Sequence, residues 1–354
     1  MIAPEPPFEH LLRLSDDTGL FEHARGAVPR REHGYCVDDV ARGLVVAARQ
    51  QSPPGAVLAF GERCLAFLHH AQISGGATHN RLGFDRRWRD EAGMGDWWGR
   101  SLWGSGTAAV RGWSPRFRAD ALAHFDVGAA GRSPWPRAMA FAALGAAEVL
   151  TVHPDHEGAR HLLADAAAVL RPGPALAGEG SPARPGEAWP WPEARLGYAN
   201  AAWAEALMAA GWGLGDDHLV DGGIALLDWL LEMETVDGHL SLTPVGGWAP
   251  GEARPGYDQQ PIEAASLADA CGRAFALTGH GRFVAGVSRS VAWFLGDNDA
   301  GVTMFDPDTG GGYDGLEAGG RNDNQGAEST LALVSTLQQG LRLVGGLRLV
   351  GGEL

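Results

Sequence analysis

The sequence has few cysteines, and their positions argue against a small cross-linked domain. Three occur in 354 residues, at Cys36, Cys64 and Cys271, and no two of them form a C-x-x-C pair. We therefore expect neither a disulfide framework nor a zinc ribbon. Cys64 and Cys271 fall in apolar helical runs, and we expect all three thiols to be packing groups and not nucleophiles.

The chain also lacks a surplus of positive charge and any apolar run of transmembrane length. It has 28 Lys and Arg against 43 Asp and Glu, which gives a formal charge of −15. Nucleic acids and anionic membranes attract basic proteins, so we expect neither as a partner. The first residues, MIAPEPPFEH, lack the basic and apolar regions of a signal peptide. These features predict a cytoplasmic protein.

The histidines offer no pair for a metal ion. None of the 13 histidines is followed by another four residues later, so no helix presents two imidazoles on neighbouring turns. We expect no metal centre and no cofactor.

No region is rich in strand signals, and apolar residues recur at helical spacing throughout. This pattern predicts an all-α protein of twelve helices, with ends uncertain by a few residues. The predicted helices span 6–14, 35–51, 57–73, 97–111, 115–128, 135–150, 155–170, 195–211, 216–234, 260–278, 281–296 and 326–342.

The loops alternate between two kinds. One helix of each pair follows a long loop rich in Trp, Gly and acids, and the other follows a short, plain turn. Five intervals separate Asp38 from Gln325, and their mean of about 57 residues suits a two-helix hairpin. Six such hairpins predict an (α/α)6 toroid whose inner-helix N-termini gather around one depression. An open helical array is the alternative architecture.

Two longer loops are expected to rim that depression as short β-hairpins. They are residues 74–95 and residues 235–256, where 238–242 would pair with 246–248. Residues 171–187 are rich in Pro, Gly and Ala and predict an external loop. We expect one domain over residues 1–340 and a C-terminal tail over 341–354, which extends the last helix.

The segment His33–Arg42 places two acids where a loop becomes a helix. One of Asp38 and Asp39 is explained as a helix cap at the positive end of the dipole. The second, beside Tyr35 and Arg42, is left for another role. The same layout of acids and aromatics recurs before later helices, which favours a functional interpretation.

Several segments of the sequence form a recognisable set, namely Ser15–Ala24, Val28–Pro29, Gly34–Arg42, Trp189–Glu193, Tyr198–Ala201, Asp258–Ala264 and Asn324–Thr330. Together they resemble the six-hairpin, glycosidase-like domains found beside, or fused to, bacterial family-4-type glycosyltransferases. The resemblance covers about residues 8–335 and implies an (α/α)6 fold, carbohydrate chemistry and a glycosyltransferase as a partner. This sequence departs from the pattern at Ala199, where an acid is expected, and at Trp97 and Trp98.

A glycoside hydrolase needs two carboxyl groups across the scissile bond, aromatic platforms for sugar rings, and polar groups for hydroxyls. Glu193 is the predicted general acid because its Trp and Pro neighbours favour the protonated form, and Asp38 or Asp39 is the predicted base. Glu263 is a further catalytic candidate. The predicted substrate-binding residues are Tyr35, Asp96, Trp97, Arg100, Trp135, Trp189, Trp191, Tyr198, Asn200, Asp258, Gln259, Gln260, Asn324, Gln325 and Glu328.

Several of these residues also have a purely structural interpretation. Glu263 and Glu328 lie one turn into their helices, where a capping-box role is the alternative interpretation. Gln259 and Gln260 precede Pro261 and could mark only a helix start. Trp189 and Trp191 could anchor the core, although their Pro spacing puts both rings on one side.

We expect a glycoside hydrolase that acts on an oligo- or polysaccharide, with inversion by analogy to other toroids. A glycoside phosphorylase and a non-catalytic carbohydrate-binding scaffold for a glycosyltransferase remain alternatives. Terpene cyclases share the toroid, but no D-D-x-x-D or D-x-D-D motif occurs here. Sugar epimerases also share it, but the paired histidines on which they depend cannot be placed in this sequence.

Overall fold

The computed structural model describes residues 3–171 and 189–350, with the side chains of the last helix described through Leu343. The predicted loop over 171–187 therefore lies almost wholly outside the described residues. Within them the chain forms twelve α-helices and a single 3-10 turn at Arg31–His33. The helices are α1 Glu9–Arg13, α2 Val37–Arg49, α3 Gly55–Ala71, α4 Asp96–Arg111, α5 Pro115–Ala129, α6 Pro136–Val152, α7 Glu157–Leu170, α8 Ala201–Leu214, α9 Asp217–Met233, α10 Pro261–Thr278, α11 Gly281–Phe294 and α12 Ala327–Val350.

The even-numbered helices form a closed inner ring. Helix α2 contacts α4, and contacts continue in order through α6, α8, α10 and α12, which returns to α2. The odd-numbered helices α3 to α11 each pack outside the inner helix that precedes them, and α1 packs against α12 and α3. The predicted all-α (α/α)6 toroid of six hairpins is confirmed, and the open array is wrong because the ring closes.

Glycines allow neighbouring inner helices to approach closely. A Cβ added at Gly99 of α4 would overlap the carbonyl oxygen of Ala138 in α6, and one at Gly145 would overlap that of Leu102. The α4–α6 contact is therefore nearly backbone to backbone, which a larger side chain would prevent. Large apolar side chains fill the remaining interior, including the fully buried Trp98 and Trp293.

Two helix ends differ from the prediction by more than three residues. Helix α8 begins at Ala201 and not near 195, because residues 196 and 248 form a β-bridge and Ala199 has a φ of +46°. Helix α12 continues to Val350, beyond the predicted 342. The first part of the predicted tail is thus helical. In the described ranges, no helix has both the length and the apolar character that a membrane span requires.

In the part of the chain that the structure describes, eight short strands pair into four two-stranded sheets. Strands β1 (Ala24–Arg25) and β2 (Val28–Pro29), β5 (Thr235–Val236) and β6 (His239–Leu240), and β7 (Gly315–Glu317) and β8 (Gly320–Asn322) form local hairpins. Strand β3 (Tyr35–Cys36) instead pairs with the distant β4 (Arg81–Leu82), in antiparallel register.

The pairing expected within 235–256 is wrong in detail. Leu240 pairs with Thr235, and Trp248 bridges to Leu196. Asp237 and Gly238 have φ values of +50° and +94°, so both adopt the positive φ that a type I′ turn requires. This Asp-Gly turn closes the hairpin before residues 246–248 are reached.

Candidate active site

One cavity of about 530 Å³ lies where the N-terminal ends of all six inner helices meet. Each inner helix places a residue on its wall from the first turn or from the residues just before it. The wall consists of Asp38, Asn80, Gly95, Asp96, Trp97, Arg100, Trp135, Pro136, Arg137, Glu193, Tyr198, Gln260, Ile262 and Glu328. Its volume falls in the range of small-molecule sites.

Asp38, in the first turn of α2, forms an ion pair with Arg100 of α4. Arg100 Nη1 donates to Asp38 Oδ1 at 2.9 Å, and the guanidinium stacks over the Phe141 ring at 4.5 Å. Arg100 is 6% exposed, so both its charge and its plane are fixed. The pair joins two adjacent inner helices and holds the carboxylate at the cavity wall.

Asp39 lies behind the wall and not on it. Its side chain is buried and accepts from Arg42 Nη2 at 2.5 Å, while Arg42 Nη1 donates to Glu328 Oε2 at 2.9 Å. Burial raises the pKa of Asp39 to about 7, against the opposing effect of the Arg42 guanidinium. Two carboxyl groups share one guanidinium here, and of the two only Glu328 lines the cavity.

Glu193 reaches the cavity from the loop before α8 and is held by Arg137 of α6. Arg137 Nη2 donates to Glu193 Oε2 at 2.5 Å, and Trp191 Nε1 donates to the same oxygen at 3.3 Å. The Arg137 guanidinium also lies over the Tyr198 ring at 4.7 Å. The expected apolar setting of Glu193 therefore also contains a positive charge.

Asp96, in the first turn of α4, accepts a short hydrogen bond from the Tyr198 hydroxyl. Burial and the neighbouring Asp96 charge raise the pKa of Tyr198. The phenol therefore stays a donor to Asp96, and the contact spans the cavity between α4 and the start of α8.

The predicted aromatic platforms divide into two groups. Trp97, Trp135 and Tyr198 line the cavity, and Trp135 is 64% exposed at its edge. Trp189 and Trp191 pack against Trp229 in the core, with ring centroids 5.2 and 6.1 Å away. Tyr35 is also buried and donates its hydroxyl proton to Asp16 at 2.7 Å. The last three rings do not reach the cavity.

Glu263 lies outside the cavity and organises the start of α8. It is 2% exposed and accepts from the backbone N–H groups of Ala199 and Asn200. Burial, with the Glu234 charge, raises the pKa of Glu263 to about 8. It therefore caps a neighbouring helix and not its own. Asn200 is buried in the same network, where its Oδ1 accepts from the Gly197 N–H at 3.0 Å.

Of the predicted amides, Gln260 lines the cavity and the others support loops. The buried Gln259 bonds Trp293 and Asp299, and Gln325 bonds Thr309 and Asp306. Asn324 Oδ1 accepts from the Gly26 N–H at 3.0 Å. Asp258 is exposed and is not part of the cavity wall.

Sequence reasoning did not propose two polar residues of the cavity wall, Arg137 and Asn80. Arg137 lies two residues after Trp135, which was predicted to bind substrate, and Asn80 lies in the loop expected to rim the site. Their closeness in sequence to these predicted features was the available signal.

Among the described residues, one group of three potential metal ligands has its atoms within 4.8 Å of one another, namely Glu22, Cys36 and Asp39. Arg81 pairs with Glu22 and Arg42 with Asp39, so guanidinium groups already neutralise both carboxylates. Burial raises the pKa of the Cys36 thiol, which disfavours the thiolate that binds metals. The donor set does not fit a metal ion.

No protein-family model matches the chain, and no curated protein matches its sequence. Several solved structures share the fold. A sugar epimerase from a ruminal bacterium has a TM-score of 0.70 at 12% identity, over 98% of this chain and 96% of its own. The cellobiose 2-epimerase of Spirochaeta thermophila has a TM-score of 0.68 at 12% identity, over 95% of this chain and 93% of its own. The cellulase Cel9M of C. cellulolyticium, solved with cellobiose, has a TM-score of 0.61 at 10% identity, over 93% of this chain and 88% of its own. These similarities show a shared toroid.

Proposed function

We propose that the protein is a carbohydrate-active enzyme that hydrolyses a glycosidic bond in an oligosaccharide. The observation that carries this proposal is the convergence of six helix N-termini on one cavity. Four carboxyl groups and three aromatic rings line that cavity. Sugar rings stack on aromatic faces, and glycoside hydrolysis needs paired carboxyl groups. Neighbours of the same fold include a cellulase solved with cellobiose, which supports the substrate class.

Asp38 and Glu193 are the proposed catalytic pair. They belong to α2 and to the loop before α8, and these helices stand opposite each other in a ring of six. A saccharide in the cavity would lie between them. Asp39 and Glu263, the other catalytic candidates, do not line the cavity, and their carboxyl groups accept hydrogen bonds from Arg42 and from the Ala199 N–H.

Both carboxyl groups form ion pairs with arginines. The one that acts as general acid has to break its ion pair and take up a proton when a saccharide enters. Glu193 suits this role because its side chain is 33% exposed, whereas that of Asp38 is 14% exposed. Glu193 then protonates the leaving glycosidic oxygen, and Asp38 accepts a proton from the attacking water. The water oxygen bonds the anomeric carbon as the C–O bond to the leaving group breaks, so the anomeric configuration inverts.

A screen of manno-, gluco-, galacto- and arabino-oligosaccharides tests this function. We expect the wild type to release reducing ends on at least one of them, with an inverted anomer in the first minutes of an NMR time course. Glu193→Gln should lose this activity and Asp221→Asn, on the exposed face of outer helix α9, should keep it. Turnover that survives in Glu193→Gln would contradict the residue assignment.

A sugar epimerase or isomerase is the second candidate, and the neighbouring structures favour it. Two of the structures compared above are epimerases. No histidine among the described residues lines the cavity, so the chemistry would need a different base. Formation of an epimer without new reducing ends, in the same NMR experiment, would select this function.

The same screen also tests a non-catalytic role. Saccharide binding without any change in the saccharide would indicate a carbohydrate-binding domain, and a glycosyltransferase would then be the partner to test for complex formation.

A further inference from the structure

We infer that the cavity takes an uncharged saccharide, with water as the attacking group, and rejects both anionic sugars and phosphate. The inference rests on the proposed function and extends it to the class of substrate and of nucleophile. It follows from how the charges on the cavity wall are distributed and paired.

The wall carries twice as many carboxyl as guanidinium groups. Four carboxyl groups face two guanidinium groups, from Arg100 and Arg137. The positive ends of the six helices do not reverse this balance. Asp38, Asp96 and Glu328 lie in the first turns of three of them, where the helix dipole acts, and so take up that stabilisation themselves.

Both guanidinium groups already have carboxylate partners. Arg100 donates to Asp38 at 2.9 Å and Arg137 donates to Glu193 at 2.5 Å. Arg42, behind the wall, is divided between Asp39 and Glu328. An incoming carboxylate or phosphate would therefore have to displace a resident carboxylate, which would then lie unpaired beside a second negative charge.

Neutral groups remain available on the wall. The Gln260 side chain has no hydrogen-bond partner in the described part of the chain, and the Trp135 ring is largely exposed. An amide donates and accepts with no net charge, as sugar hydroxyls do. Asp96 has one cavity partner, the Tyr198 hydroxyl, and its second oxygen can accept from a sugar hydroxyl.

The same balance decides between hydrolysis and phosphorolysis. In phosphorolysis a phosphate oxygen bonds the anomeric carbon and the glycosidic oxygen leaves with a proton, which yields a sugar 1-phosphate. Bound phosphate is normally held by cationic or backbone donors. The guanidinium groups of this cavity are engaged, whereas water needs only one carboxylate to accept its proton.

Matched substrate pairs test the inference. Each neutral glycoside found in the screen is compared with its uronic acid counterpart, with and without inorganic phosphate. We expect kcat/KM to be at least about a hundredfold lower for the uronide, because like charges would meet in the cavity. We also expect phosphate to leave the rate unchanged and to give no sugar 1-phosphate.

A variant links the discrimination to the cavity. Asp96→Asn removes one negative charge from the cavity. The ratio of kcat/KM for the neutral glycoside to kcat/KM for its uronide should therefore fall by about tenfold. Asp221→Asn makes the same change in net charge on outer helix α9 and should leave the ratio unchanged. Where turnover is too slow to measure, calorimetric binding of the same saccharide pairs gives the ratio.

The outcomes separate this inference from the proposed function. A uronide handled as well as its neutral counterpart, or phosphate-dependent formation of a sugar 1-phosphate, would overturn the inference while leaving carbohydrate chemistry in place. If Asp96→Asn left the kcat/KM ratio of neutral to anionic substrate unchanged, the cavity charge would not be the cause of the discrimination. Failure of every saccharide to bind would overturn the proposed function first, and the inference with it.

Discussion

Arg137 Nη2 lies 2.5 Å from Glu193 Oε2, and this contact ties the first turn of α6 to the loop that precedes α8. The same guanidinium donates to the Tyr198 carbonyl and lies over the Tyr198 ring. One side chain therefore sets the positions of a carboxylate and an aromatic ring on the cavity wall. Arg137 is a positioning residue in the proposed reaction.

Replacing Arg137 with Gln should release both groups at once. We expect kcat/KM to fall about a hundredfold, since small misplacements of catalytic groups have effects of this size. Steady-state kinetics on the best saccharide of the screen gives this ratio.

Arg282→Gln is the matched control for this change. Arg282 forms an exposed ion pair with Asp228 on the outer helices, so its loss should leave kcat/KM unchanged. A folded Arg137→Gln enzyme with the kcat/KM of the wild type would mean that Arg137 only supports the loop.

Two tryptophans that look alike in the sequence should behave oppositely when replaced. Trp135→Ala should change the free energy of unfolding by no more than about 0.5 kcal/mol, because the ring is 64% exposed, while raising KM about tenfold. Trp191→Ala should cost about 3–5 kcal/mol because its ring is 1% exposed in the core. Denaturant unfolding and saccharide kinetics distinguish the two roles. A KM for Trp135→Ala equal to that of the wild type would remove Trp135 from the binding surface.

The buried carboxyl of Glu263 should make stability depend on pH. Its pKa in the folded protein is about 8, above the ordinary 4.5, so the folded state keeps a proton that the unfolded chain releases between these values. Its stabilising contribution is thus full below about pH 4.5 and is lost as the pH rises through about 8. The slope is at most about 1.4 kcal/mol per pH unit.

Denaturant unfolding of wild type and Glu263→Gln at about pH 5, 6.5 and 8 isolates this contribution. The free energy of unfolding of the wild type, taken relative to that of Glu263→Gln, should fall as the pH rises. The exposed Glu157→Gln on α7 should run parallel to the wild type at every pH, and parallel curves for Glu263→Gln would show that Glu263 is ionised in the fold.

The close approach of α4 and α6 predicts opposite effects for two glycine-to-alanine changes. Gly99→Ala should destabilise by about 1–3 kcal/mol because its Cβ would meet the Ala138 carbonyl. Gly222, within outer helix α9, has open space around the position of a Cβ. Gly222→Ala should therefore stabilise by about 0.5–1 kcal/mol, as helix propensity alone dictates. Thermal unfolding of both variants checks the sign, and a neutral Gly99→Ala would imply that the two helices can move apart.

The toroid was predictable because its signal is repeated. Six polar loops alternate with short turns at a mean interval of about 57 residues, and an error at one helix end does not remove this pattern. Two pairings, β3 with β4 and Trp248 with Leu196, were less predictable because the partners lie far apart in the chain. Trp248 bridges Leu196 across some fifty residues, and no local sequence signal encodes that contact.

The site was partly predictable, for a geometric reason. Adjacent residues in a helix point about 100° apart, so only one of Asp38 and Asp39 can face the cavity. In the extended segment before α10, successive side chains point to opposite sides, and Gln260 faces the cavity while Gln259 is buried. Trp189 and Trp191 do lie on one side of their segment, as predicted, but that side faces the core.

Measuring kcat/KM for the wild type, Asp38→Asn, Glu193→Gln and Asp221→Asn on the best saccharide of the screen tests the central claim most directly. We predict losses of at least about a thousandfold in both cavity variants, because each removes one of the two carboxyl groups that the reaction requires. Asp221→Asn should retain full activity, and circular dichroism should show all three variants folded. Folded Asp38→Asn and Glu193→Gln proteins that keep wild-type turnover would contradict the account.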